Sequence, residues 1–309
     1  MSKKSRVPQT PIAAWHRNLL VTAAVFSVIL IAMGGVLCVT QSIRSCPDWP
    51  LCFGKVIPPL ESSPILEYTH RVLAISTGLL ILACAAAGWL RARSLRWIML
   101  PPLVAIPLVV AVSYFGMLAV LYGLAAGWAA VDLGSALLVV ALIVTAAVIA
   151  RARVRKPELP DRLTVRSPFA RLVWATIIVV YGVLVSGVLV AGKNSLTGCL
   201  GWPMCSAQVV QMDLQGPGNI LRLFFAVVGL ILIVAVFVQA WRGYRGKPAV
   251  FRSACWAGAA FLFEVLVQGL MLVLGFTVPL MIVYTVTMAA FWGLLLVLGA
   301  NVGLEADPG

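Results

Sequence analysis

Eight apolar runs of about 20 residues or more follow one another along the 309-residue chain. A run of that length crosses the ~30 Å hydrocarbon core of a bilayer as a helix, and few other folds accommodate so many. The runs fall at 19–40, 65–90, 97–121, 125–150, 169–191, 218–240, 253–276 and 278–301. They predict an all-α integral membrane protein. Composition agrees, with 62% hydrophobic and 11% charged residues.

A net charge of +13 suggests nucleic acid at first sight, but its placement does not. Of the 23 Lys and Arg residues, 18 lie before the first run, between runs 2 and 3, 4 and 5, or 6 and 7, or, as Arg171, at the start of run 5. The other side keeps Arg44, Lys55, Arg71, Lys193 and Arg222. Positive charge collects on the cytoplasmic side, so both termini are expected there and no nucleic-acid partner is implied. The first run is too long for a cleavable signal peptide and lacks a small-residue cleavage site after it.

The chain also repeats itself. Cys46-Pro47-Asp48-Trp49-Pro50-Leu51-Cys52 returns as Cys199-Leu200-Gly201-Trp202-Pro203-Met204-Cys205, 153 residues on. Gly34 and Gly187, near the ends of the preceding apolar runs, have the same 153-residue offset. Both copies read C-x-x-W-P-x-C, which marks an internal duplication. Four spans per half give both halves the same orientation, hence two parallel-repeat four-helix bundles. The expected organisation is an N-terminal bundle over 1–150, a charged cytoplasmic linker over 151–168 and a C-terminal bundle over 169–309.

Both cysteine loops fall on the outer side, where disulfides persist. Cys46 with Cys52 and Cys199 with Cys205 is the simplest pairing of four cysteines. The second pair reads as a loop staple. The first reads equally as a staple or as a redox-active dithiol. Cys84 and Cys255 read as packing residues within apolar runs. Cys38 reads as buried, with a redox role as the alternative.

Polar groups inside spans are costly and point to function. Glu67, His70 and Arg71 are three and four residues apart at the start of run 2, so they share a helix face. A neutral imidazole there suits haem iron as an axial ligand. Glu67 has the chemistry of a proton relay, and Arg71 that of a haem-propionate partner. The alternative is an interfacial trio that anchors the helix. Asp132 in run 4, and Glu264 with Gln268 in run 7, are the deeper polar groups; the latter pair reads as glue between helices. His16 is the only other histidine, and reads as part of an interfacial Trp15-His16-Arg17 anchor.

These residues resemble the haem A synthase family. The resemblance rests on Gly34-Gly35-Val36, on Cys46–Cys52 with Gly54 after it, on E-x-x-H-R-x-x-A from Glu67 to Ala74, on the second cysteine loop and on the eight-span repeat. It implies two similar four-helix bundles and oxidation of a haem O methyl group to the formyl group of haem A for cytochrome oxidase. It implies a substrate haem between histidines of spans 2 and 4, and haem b between histidines of spans 6 and 8. It also implies a redox or haem-transfer role for the first cysteine pair and a structural disulfide for the second.

Carried over position by position, His70 matches the span 2 histidine and Glu67 its glutamate. Asp132 stands at the span 4 histidine, Leu221 at that of span 6, and Tyr284 or Thr285 at that of span 8. Cys38 stands where the family usually carries an arginine. The expected cofactor is therefore a haem, of haem O or haem b type, at the N-terminal bundle, with Glu67 and His70 catalytic, His70 on the iron, and Arg71 and Asp132 lining the site. The missing histidines argue against haem b in the C-terminal bundle. Expected partners are haem O, haem O synthase, cytochrome oxidase subunits, a periplasmic thiol-redox protein, the bilayer and a second copy of the chain. Expected localisation is the plasma membrane, with the cysteine loops outside. Two alternatives stay open: a non-catalytic haem-binding or oxidase-assembly relative, and a membrane thiol oxidoreductase.

Overall fold

The computed structural model describes residues 12–157, 159, 162–190 and 217–305, with the backbone alone at 190 and 217–221. Among these residues lie eight helices: α1 (Ala14–Val39), α2 (Ser62–Arg91), α3 (Arg96–Leu121), α4 (Ala126–Arg155), α5 (Pro168–Val190), α6 (Pro217–Gly243), α7 (Pro248–Leu274) and α8 (Val278–Glu305). The described residues contain no strand, only an isolated bridge between Cys52 and Lys55. All eight helices contain stretches long and apolar enough to cross a membrane.

Several helices outrun the apolar limits. α1 begins at Ala14, α4 continues to Arg155 and α7 begins at Pro248. The added turns carry Trp15, Arg17, Arg151, Arg153, Arg155 and Arg252. Such side chains suit the headgroup zone, and continuing the helix keeps backbone groups bonded where water is scarce. Hydropathy ends a span at its first charge; the backbone has no reason to.

The helices pack as two rings. α1 and α3 each touch both α2 and α4, which places α2 across from α4. In the second half α5 and α7 each touch both α6 and α8. The rings meet through α1 with α8, α4 with α5, and α4 with α8. α4 and α8 are therefore central: 61% and 56% of their most apolar windows are buried, against 6% for α3. The shared core includes Leu20 and Ala23 of α1, Leu137 and Ile143 of α4, Leu184 of α5, and Phe291, Trp292 and Leu295 of α8. Leu79, Val110, Ile178 and Leu262 are exposed and form the surface a bilayer would cover.

Lipid tails are as apolar as leucine, so close approach and packing, rather than escape from water, hold such helices together. Small residues sit at the crossings. A Cβ on Gly35 of α1 would come within 2.8 Å of the Thr285 Cβ on α8, and one on Gly134 of α4 within 2.7 Å of the Tyr181 hydroxyl on α5. Trp292 of α8 donates its indole N–H to the Leu137 carbonyl of α4 at 3.4 Å.

Candidate functional site

The loop between α1 and α2 is built around Asp48. One of its carboxylate oxygens accepts the Phe53 N–H and the other the Gly54 N–H, both at 2.6 Å. Phe53 and Gly54 have φ of 56° and 65°, the left-handed pair of a tight turn. That turn closes with reciprocal Cys52–Lys55 backbone bonds of 3.2 Å. Glycine adopts this conformation freely; phenylalanine does so at a cost that the Asp48 acceptor offsets. The hydrogen bond from Gly54, joined by that from Phe53, holds the Asp48 carboxyl below its ordinary pKa range. Cys46 and Cys52 form a disulfide inside this loop, and neither is accessible to solvent.

Helix α2 fastens the loop. Glu67 and Arg71 lie one turn apart on its buried face. The Arg71 Nη2 donates to Glu67 Oε1 at 2.6 Å, while Nη1 donates to the carbonyls of Asp48 at 2.7 Å and of Leu51. The second Glu67 oxygen, Oε2, accepts the Cys46 N–H at 2.7 Å. Four of the expected residues, Cys46, Cys52, Glu67 and Arg71, are thus one connected unit. Arg71 is turned to the loop carbonyls. Both Glu67 oxygens accept hydrogen bonds that fasten the loop.

His70 stands apart from this unit although it neighbours Arg71 in sequence. It is half-buried, and its Nδ1 is buried with no hydrogen-bond partner. Its ring packs over Gly34 of α1, where an added Cβ would lie 3.6 Å from Cε1. On α4, Asp132 has a buried Oδ1 that also lacks a partner. At 1.5 Å per residue, His70 lies about 12 Å along α2 and Asp132 about 9 Å along α4, counted from the helix starts at the loop end. Unsatisfied buried polar atoms are unfavourable and call for an occupant. One imidazole with a free nitrogen fits haem iron as a single axial ligand.

Among the described residues of the second half, the two candidates for the span 8 position have partners of their own. Tyr284 accepts a hydrogen bond at its hydroxyl from the Gln268 side chain at 3.1 Å. Thr285 donates to the Ile282 carbonyl at 3.0 Å and lies against Gly35. Glu264, expected with Gln268 as glue between helices, accepts from the Thr287 hydroxyl of α8. It is an α7–α8 link, one turn away from the Gln268–Tyr284 link. Cys199 and Cys205 lie outside the described residues, as does the Leu221 side chain.

Three further expectations change. Cys38 is half-buried rather than buried, and is disulfide-bonded rather than a packed thiol. Cys255 is a free cysteine on the exposed surface, whereas Cys84 is free and buried. His16 of the expected Trp15-His16-Arg17 anchor is not presented at the surface: it is 2% exposed and stacked on the exposed Trp15. Sequence reasoning also missed Asp48 and Gly35. Both stood in quoted motifs, but neither the carboxylate's bonds forward along the loop nor a helix crossing is visible as a spacing.

The fold and the loop define a class: a multi-pass helical membrane protein with a disulfide-closed loop seated on a histidine-bearing helix. The family model for cytochrome oxidase assembly proteins, COX15-CtaA, matches residues 17–298, and the chain belongs to that family. It is 27% identical to the haem A synthase of Halalkalibacterium halodurans over 258 residues, covering 82% of this chain and 85% of the relative. It is 27% identical to that of Alkalihalophilus pseudofirmus over 241 residues, covering 74% and 80%. The haem A synthase of an Exiguobacterium species is 30% identical over 183 residues, 59% of each chain.

Proposed function

We propose that this protein is a haem A synthase-like enzyme that oxidises the methyl group of haem O to the formyl group of haem A for cytochrome oxidase, using one haem site in its N-terminal half. The observation that carries this reading is His70, whose buried, partnerless ring nitrogen lies beside the fastened loop in a chain of this family. His70 would hold the iron. The ring lies against Gly34, where an added Cβ would meet it in van der Waals contact at 3.6 Å. Asp132 would supply a polar group from the helix across the ring, holding a water or a substrate oxygen. When bound, the haem supplies the iron on which oxygen chemistry at the ring methyl depends. Glu67 and Arg71 hold the Cys46–Cys52 loop over the end of α2, and so bound the site and limit water entry.

A second haem is not part of this proposal, because Tyr284 and Thr285 are bonded elsewhere. The distribution of basic residues supports cytoplasmic termini and a Cys46–Cys52 loop outside the plasma membrane. Haem O is the substrate; haem O synthase, oxidase subunits and a thiol-redox protein are partners this placement suits.

A non-catalytic haem-binding relative is the second reading, favoured by the lack of histidine at Asp132, Leu221 and Thr285. Thiol exchange as the main activity is disfavoured by the burial of Cys46 and Cys52. The test is spectroscopic. Protein purified after haem-replete expression should show a Soret band that His70→Ala removes. Colourless wild-type protein would exclude both haem readings.

A further inference from the structure

The end of the first ring remote from the cysteine loop carries a feature that haem chemistry does not use. A cleft of about 170 Å³ lies between the start of α1 and the α2–α3 turn, lined by Ala13, Trp15 and His16 on one side and Arg91, Ala92 and Leu95 on the other. His16 is 2% exposed, and its Nε2 is buried without a hydrogen-bond partner. Its ring stacks on Trp15, with centroids 5.4 Å apart. α1 starts here with Ala13 as cap, and Ala13 offers no side-chain acceptor to the first backbone N–H groups. No acidic residue lines the cleft.

We propose that this cleft binds a phosphate oxyanion, presented by an anionic phospholipid. Three features agree on an anion. An uncapped helix start directs N–H groups and a positive dipole end outward. His16 supplies a nitrogen that lacks a partner, and Arg91 adds a guanidinium at the rim. The setting favours a lipid over a free ion. Trp15, which lines the cleft, exposes 54% of its surface, giving acyl chains and glycerol an apolar wall. The site lies about 27 Å along α1 from Gly34, at the opposite end of the helix. A headgroup bound there would tie α1 to the α2–α3 turn. A choline headgroup would bring its cation against Arg91, so the site selects net negative lipids.

The test is native mass spectrometry of the detergent-purified full chain, incubated with phosphatidylglycerol or phosphatidylcholine. Wild type should retain phosphatidylglycerol over phosphatidylcholine by about five-fold, the scale of one basic residue at an anionic surface. His16→Phe and Arg91→Ala should each abolish that preference. Arg93→Ala should keep it, because Arg93 stacks on Trp89 and does not line the cleft. Arg91 is at the exposed rim, so its variant decides the matter should His16→Phe fail to fold. Equal retention of the two lipids by wild type, or an unchanged preference in Arg91→Ala, overturns the proposal. Displacement of phosphatidylglycerol by millimolar inorganic phosphate overturns the lipid assignment in favour of a free-phosphate site.

Discussion

Both oxygens of Glu67 and both terminal nitrogens of Arg71 are occupied, and what they hold is a loop. Removing one partner of a buried ion pair leaves the other uncompensated, at a cost of about 3–5 kcal/mol. Arg71→Ala should therefore loosen the Cys46–Cys52 loop, and a phosphine should reduce its disulfide faster than in wild type. Thiol labelling after timed reduction measures this, and an unchanged rate would show that the loop stands without Arg71. Asp48 makes the same loop sensitive to acid. Its folded-state pKa is depressed by the Gly54 and Phe53 N–H groups. Its contribution to loop order is therefore present above the ordinary aspartate pKa of about 4 and fades as pH falls through the lower folded value. Reduction should accelerate in that acid range in wild type, while Asp48→Asn should be fast throughout and show no acid step.

At the scale of elements, the doublet Gly34-Gly35 does two jobs. Neighbouring positions on a helix point about 100° apart, so Gly34 faces His70 of α2 while Gly35 admits Thr285 of α8. α1 thereby joins the candidate site to the second ring. Gly35→Val should wedge α1 from α8, since a Cβ alone would come within 2.8 Å of a β-branched carbon that has no room to turn aside. Overpacking of this kind costs about 1–3 kcal/mol. Thermal unfolding in detergent should register the loss, whereas Gly127→Val, where nothing lies within 4 Å of an added Cβ, should not. This crossing also marks where reading the sequence stops. The eight spans and the face that Glu67 and Arg71 share were legible, because each is a local periodicity. Arg71 reaching loop carbonyls, Glu67 accepting the Cys46 amide and the burial of His16 were not. Each depends on how separate segments meet, and spacing along one segment carries no such information.

At the scale of the molecule, the duplication has kept the ring and lost the symmetry of its contents. α2 places His70 against Gly34; in the second half the corresponding close approach is Arg222 against Gly187. α4 carries a partnerless carboxyl at Asp132, while α8 carries Thr285, bonded within its own helix and packed on α1. Buried polar atoms without a partner include His70 Nδ1 and Asp132 Oδ1 in the first half and Glu264 Oε1 in the second; the proposal places the haem in the first. Purified protein should accordingly bind no more than one haem per chain. Asp132→His should convert its spectrum to a low-spin bis-histidine form if α2 and α4 face one cavity. The most direct test of the account is the identity of the haem extracted after co-expression with a haem O source. Formyl-bearing haem A, made by wild type and absent with His70→Ala, is the predicted result. Haem O recovered unchanged from wild-type protein would contradict it.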